Sequence, residues 1–107
     1  MLERKPNWEY DAEGQAGPGA LLRAAREKDN LTVADVASNL RINEQMLADI
    51  EADDFSHAPA VIYVRGYLRA YSRMVNLSAM EVLQAFDAMG WQDASGRDHA
   101  DIGRAKL

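Results

Sequence analysis

An all-α fold, five helices gathered into one compact bundle, is what this sequence predicts, and three observations predict it. No segment sustains the period-2 alternation that a half-buried strand requires. Between Pro18 and Gly90 the apolar residues recur instead at helical spacing, in five runs separated by capping and stop residues. A chain of 107 residues, 48% hydrophobic and 27% charged, can fill one small core and has no room for a second.

The chain divides into a flexible N-terminal arm over residues 1–17, a folded domain over 18–90 and a C-terminal linker or tail over 91–107. The first arm is polar and Gly-bearing; its Trp8 is either a docking residue or a tail aromatic with no fixed partner. Helix one starts at Pro18, a residue suited to the first helical position, turns Leu21, Leu22 and Ala25 inward and stops near Asn30. Helix two opens on Thr32 and Asp35, a capping box with Asp in its third place, and carries the stripe Val33, Val36, Ala37 and Leu40. Asn43 caps helix three, whose Met46, Leu47 and Ile50 face in. The acids Glu51, Asp53 and Asp54 at its end oppose the helix dipole, so they need a reason beyond that helix. Helix four runs from near Pro59 to about Val75. Helix five begins with a full capping box, Ser78 and Glu81, buries Val82, Leu83 and Phe86, and ends at Gly90.

Helices two and three are joined by the three residues Arg41 to Asn43. Ala37 is small enough for a steep crossing and Ile42 plugs the turn, so the bundle is of the repressor-like helix-turn-helix type. Arg41 stands where Gly is usual, and a non-Gly residue held at positive φ costs on the order of 1 kcal/mol. Such a motif normally reads the DNA major groove from its second helix, with Lys and Arg holding the phosphates. Here that helix offers Glu44, Gln45, Ala48, Asp49 and Glu51, with no basic residue. Gln45 has the amide that pairs with adenine, but the carboxylates beside it face a polyanion. Net charge is −5, and between Pro18 and Gly90 seven Arg/Lys stand against ten Asp/Glu, a balance of −3. No specific nucleic-acid partner is expected; a DNA-binding regulator remains the alternative that helix-turn-helix architecture keeps open.

The same survey bounds the chemistry. Absence of cysteine excludes disulfides and thiolate metal sites. His57 lies in a loop and His99 in the tail, and no nucleophile–base pair, metal-ligand set or phosphate loop assembles, so neither an enzyme nor a cofactor is expected. Adjacent Asp53 and Asp54 read as a solvated helix end rather than a cation site. No apolar run approaches the ~20 residues that span a bilayer, and Glu3, Arg4 and Lys5 do not open a signal peptide, so the chain as given is expected to be soluble.

Helix four carries more apolar surface than one packing face uses. At about 100° per residue, Val61, Val64, Leu68, Tyr71 and Val75 form one stripe and Tyr63, Tyr67, Ala70 and Met74 a second, roughly 100° away. The first is core. The second is either buried under helix five or a tail, or a partly exposed aromatic patch of the kind enriched at interfaces. Gly66 sits mid-helix at a cost of ~1 kcal/mol relative to Ala, which predicts close approach of another helix. Arg65, Arg69 and Arg73 share a third face, where Arg65 and Arg73 read as solvated.

The run Tyr63-Val64-Arg65-Gly66-Tyr67-Leu68-Arg69-Ala70-Tyr71-Ser72-Arg73, preceded by Ala24-Ala25-Arg26-Glu27, the helix-turn-helix, Asp49-Ile50-Glu51-Ala52-Asp53-Asp54-Phe55 and Pro59, resembles the cytoplasmic domain of the RodZ family of bacterial cell-shape proteins. The resemblance spans Gly17 to about Gly90. It implies an adaptor at the cytoplasmic face of the bacterial inner membrane, anchored through a segment absent here, that binds the actin-like filament protein MreB and links it to cell-wall synthesis. It also implies that the filament contact falls on fourth-helix aromatics, here Tyr63 and Tyr67.

Overall fold

Among the described residues, five helices form where the capping and stop residues mark them, and a short ribbon accompanies them. The computed structural model describes residues 2–4 and 16–93. The elements run β1 (Leu2–Arg4), α1 (Pro18–Lys28), α2 (Val33–Leu40), α3 (Glu44–Glu51), α4 (Val61–Met74), α5 (Ala79–Ala88) and β2 (Trp91–Asp93).

Helix starts follow two rules. At three of them the residue before the helix supplies the acceptor. Thr32 and Asp35 form the complete box, with Oγ1 accepting from Asp35 N at 3.0 Å and Asp35 Oδ2 accepting from Thr32 N at 2.9 Å. The Thr32 N–H bond, more than the hydroxyl, holds the Asp35 carboxyl below its ordinary range. Asn43 Oδ1 accepts from Met46 N at 2.7 Å. Ser78 Oγ accepts from Glu81 N at 3.3 Å, but Glu81 gives no return bond, so the full box expected there is half formed. The other two helices start after Gly17 and Ala60, which have nothing to cap with. Carboxylates far away in sequence serve them: Asp53 Oδ1 accepts from Gly19 N at 2.7 Å and Asp93 Oδ1 from Val61 N at 2.8 Å.

All five helices end on a residue in the left-handed region: Asn30, Arg41, Asp53 and Asn76 at φ 58° to 61°, and Gly90 at 79°. At the first four the next N–H bonds back five residues, Leu31 to the Arg26 carbonyl, Ile42 to Ala37, Asp54 to Asp49 and Leu77 to Ser72. Leu31, Ile42 and Leu77 then fold onto the core. Arg41 thus takes the strained turn position that Gly usually fills.

The core gathers Leu22 from α1, Val36 and Ala37 from α2, Leu47 and Ile50 from α3, Val64, Leu68, Tyr71 and Val75 around α4, and Val82, Leu83 and Phe86 from α5. Phe55 fills its centre, edge-on to Phe86 at 5.1 Å and to Trp91 at 5.6 Å. Leu21, expected inward, is only half-buried. β1 pairs antiparallel with β2, Leu2 opposite Asp93 and Arg4 opposite Trp91, and Leu2 is buried. Residues 2–4 and 91–93 therefore depart from the unstructured arms expected of them. Three-residue strands are too short to show a period, and nothing local signals that the two ends pair. Trp8 and His99 lie outside the described residues.

The acidic end of α3 has its explanation in tertiary partners. Glu51 takes a two-pronged bond from Arg26, Nε at 2.7 Å and Nη2 at 3.1 Å, and accepts the Tyr71 hydroxyl at 2.5 Å. Both charged side chains are nearly buried, and Arg26 Nη1 also donates to the Leu31 carbonyl at 2.8 Å. Burial and the bond to Glu51 push the Tyr71 phenol well above its ordinary value, and Glu51 likewise raises Arg26. Asp53 caps α1. Asp54 Oδ1 accepts from Ser56 Oγ at 2.6 Å and Ser56 N at 3.1 Å, which hold its carboxyl below the usual range.

The close approach expected at Gly66 occurs elsewhere. A Cβ at Gly66 would meet nothing within 4 Å among the described residues, and the residue is exposed. A Cβ at Gly19 would instead strike the carbonyl oxygens of Ile50 and Glu51, and one at Gly17 the Asp53 carboxylate. The N-terminus of α1 is therefore pressed against the C-terminus of α3.

Candidate functional site

The rotation of α4 is set by its inward stripe, since Val64, Leu68, Tyr71 and Val75 are all buried and Tyr71 is bonded to Glu51. The second stripe then falls partly inside and partly outside. Tyr63 is 56% exposed and Ala70 is exposed, whereas Tyr67 and Met74 are half-buried against the core. Tyr67 also lines an apolar cleft of about 420 Å³ between α3 and α4, with Met46, Ile50, Phe55 and Val64 on its walls and Gln45, Asp49 and His57 on its rim. The two tyrosines, one turn apart, thus present one free ring and one ring already seated at a groove. His57 is exposed, its Nδ1 3.4 Å from Ser56 Oγ.

Helices α2 and α3 make the helix-turn-helix as its spacing predicts, with Val36, Ala37, Leu47 and Ile50 buried and Ile42 half-buried. The outward side of α3 is acidic or neutral. Glu44 is exposed, and the Gln45 amide donates to Asp49 Oδ1 at 3.0 Å, so the group suited to adenine is engaged within its own helix. The DNA-reading alternative is not favoured by this face.

The arginine face of α4 differs from its expected form at one end. Arg65 is not simply solvated, because Nη1 pairs with Asp87 Oδ1 on α5 at 2.5 Å. Arg69 and Arg73 are exposed and have no ion pair among the described residues. Sequence reading also missed two exposed apolar groups, Ile62 at 61% and Met80 at 69%. The periodicity that places the core stripe puts Ile62 about 140° from its centre, so the signal was there. None of the described helices is long and apolar enough to cross a membrane.

Comparisons with known proteins agree with this architecture. The helix-turn-helix domain family matches residues 21–82. Cytoskeleton protein RodZ of Streptococcus pneumoniae is 36% identical over 70 residues, which are 65% of this chain and 25% of that protein. The chain therefore spans about a quarter of that curated relative's length. YmfM of Staphylococcus aureus, a candidate DNA-binding membrane protein, superposes with a TM-score of 0.62 at 28% identity, covering 69% of this chain and 92% of that one. A chain from the complex in which bacterial actin MreB assembles with cell shape protein RodZ superposes with a TM-score of 0.62 at 26% identity, covering 80% and 91%.

Proposed function

This chain belongs to the helix-turn-helix domain family and is a RodZ-like domain, and on that premise we propose that it is a non-enzymatic adaptor whose α4 grips MreB filaments through Tyr63 and Tyr67. In the whole protein this domain sits at the cytoplasmic face of the inner membrane, anchored by a segment outside this chain, and links filaments to the membrane and the cell-wall synthesis machinery. The working unit is residues 18–90 together with the ribbon that closes them. The observation that carries the reading is the exposed Tyr63 ring beside the Tyr67 cleft, on a helix whose opposite side is locked into the core. An aromatic that buries its ring and keeps its hydroxyl wet is the usual anchor of such a contact.

The test is co-sedimentation with MreB filaments. Tyr63→Ala should weaken binding by about 30-fold, the equivalent of about 2 kcal/mol, with a melting temperature within a few degrees of wild type. Tyr67→Ala should lose binding too, along with a measurable part of its stability, because that ring packs on the core as well. Tyr71→Ala should do the reverse, melting early through loss of a core ring while its folded fraction still binds. Normal binding by Tyr63→Ala would remove Tyr63 and the patch from the site.

A further inference from the structure

We propose that the notch at Gly66 on the outer face of α4 receives a carboxylate-bearing segment of the filament partner, held by Arg69 and Arg73. The inference deepens the reading of α4 as the filament-facing helix and rests on it. Gly66 lies in the middle of a 14-residue helix, where glycine is the poorest helix former after proline. Among the described residues nothing requires it there, since a Cβ would meet no atom within 4 Å. The missing side chain leaves a depression beside Ile62 and Arg69, into which another backbone can come close.

The charges around the depression say what kind of segment it is. Arg65 is answered by Asp87, and the Asp93 carboxylate at the far end is turned to the Val61 N–H. Arg69 and Arg73, one turn apart, have no acid within ion-pair distance among the described residues, in a chain of net charge −5. Two guanidiniums left open in an acidic domain match carboxylates and repel a basic surface. Ile62, 61% exposed one turn before Gly66, adds an apolar contact on the same side. The partner is thereby held on two sides of α4, aromatic at Tyr63 and Tyr67 and electrostatic at Arg69 and Arg73.

Purified MreB filaments are the probe, in co-sedimentation with the full chain across a salt series. Arg69→Glu with Arg73→Glu should lower affinity by about tenfold or more, and the wild-type affinity should fall as salt rises. Gly66→Leu should fill the notch and weaken binding to a similar degree while melting no lower than wild type. Wild-type binding by either variant overturns the inference. If that happens while Tyr63→Ala loses binding, only the notch is overturned; if Tyr63→Ala also binds normally, the reading of α4 falls with it. Self-association or duplex-DNA binding that these variants abolish, with filament binding intact, equally overturns the proposal.

Discussion

At Gly19 a methyl group would meet the carbonyl oxygens of Ile50 and Glu51, and at Gly66 it would meet open space. The same substitution should therefore have opposite signs. Gly19→Ala forces α1 away from α3 and should cost about 1–3 kcal/mol, as overpacking against backbone does. Gly66→Ala removes the entropic cost of an exposed mid-helix glycine and should gain up to about 1 kcal/mol, a rise of roughly 4–8 °C in Tm for a domain this size. Thermal melts of the two variants decide it. Tyr71 carries a second contrast. Its phenol is buried and bonded to Glu51, so it ionises well above the pH at which an unfolded tyrosine does. The stability this confers is fully present below about pH 10 and is lost as pH rises through the folded value. Tyr71→Phe should cost about 1–3 kcal/mol at neutral pH, because a buried charge loses a hydrogen bond. The gap between the two proteins, measured by urea unfolding, should narrow above about pH 10; a gap unchanged at pH 11 would show that the phenol ionises there as it does in the unfolded chain.

At the scale of elements, the helices fall into two groups by how they begin. Thr32, Asn43 and Ser78 cap from within three residues, and each was legible in the sequence because the cap and its target N–H are local. Asp53 and Asp93 were not legible as caps, since each reaches a helix that other elements separate from it in the chain. The same distance hid the role of Glu51: its bonds to Arg26 and Tyr71 cross three helices, so periodicity could show only that the acid was misplaced. Asp93→Ala should free the Val61 N–H, cost about 1 kcal/mol and speed amide exchange in the first turn of α4 while leaving α2 protected. Asp53→Ala should cost more, about 2 kcal/mol, because the new residue must also hold a φ of 60° that alanine resists. Equal losses would mean that the left-handed turn after α3 carries no strain. The crowding at Gly19 was not legible for a related reason, because the atoms a side chain would strike there belong to the end of α3.

For the molecule as a whole, charge decides between the two partners a helix-turn-helix admits. The folded region balances to −3, α3 carries no cation and Gln45 is tied to Asp49, so the helix that would enter the groove has no basic group to release counterions from DNA. Fluorescence anisotropy with mixed duplexes at low salt should show no sub-micromolar binding; tight binding that falls steeply with added salt would reverse that conclusion. That the second stripe of α4 leaves the core at Tyr63 yet stays in it at Tyr67 could not be read from the period alone. The two rings lie on the same side of α4, but Tyr67 lines the cleft with Met46, Ile50, Phe55 and Ala58, whereas Tyr63 does not. The ribbon has a consequence of a different kind. Leu2 lies opposite Asp93, so tension drawn between the chain before Leu2 and the chain after Asp93 would peel the ribbon one residue pair at a time instead of shearing all pairs together. Asp93, the first residue of the ribbon to feel the load, is also the one that holds Val61. A pull on the C-terminal side is thus delivered first to the start of α4, two residues from Tyr63.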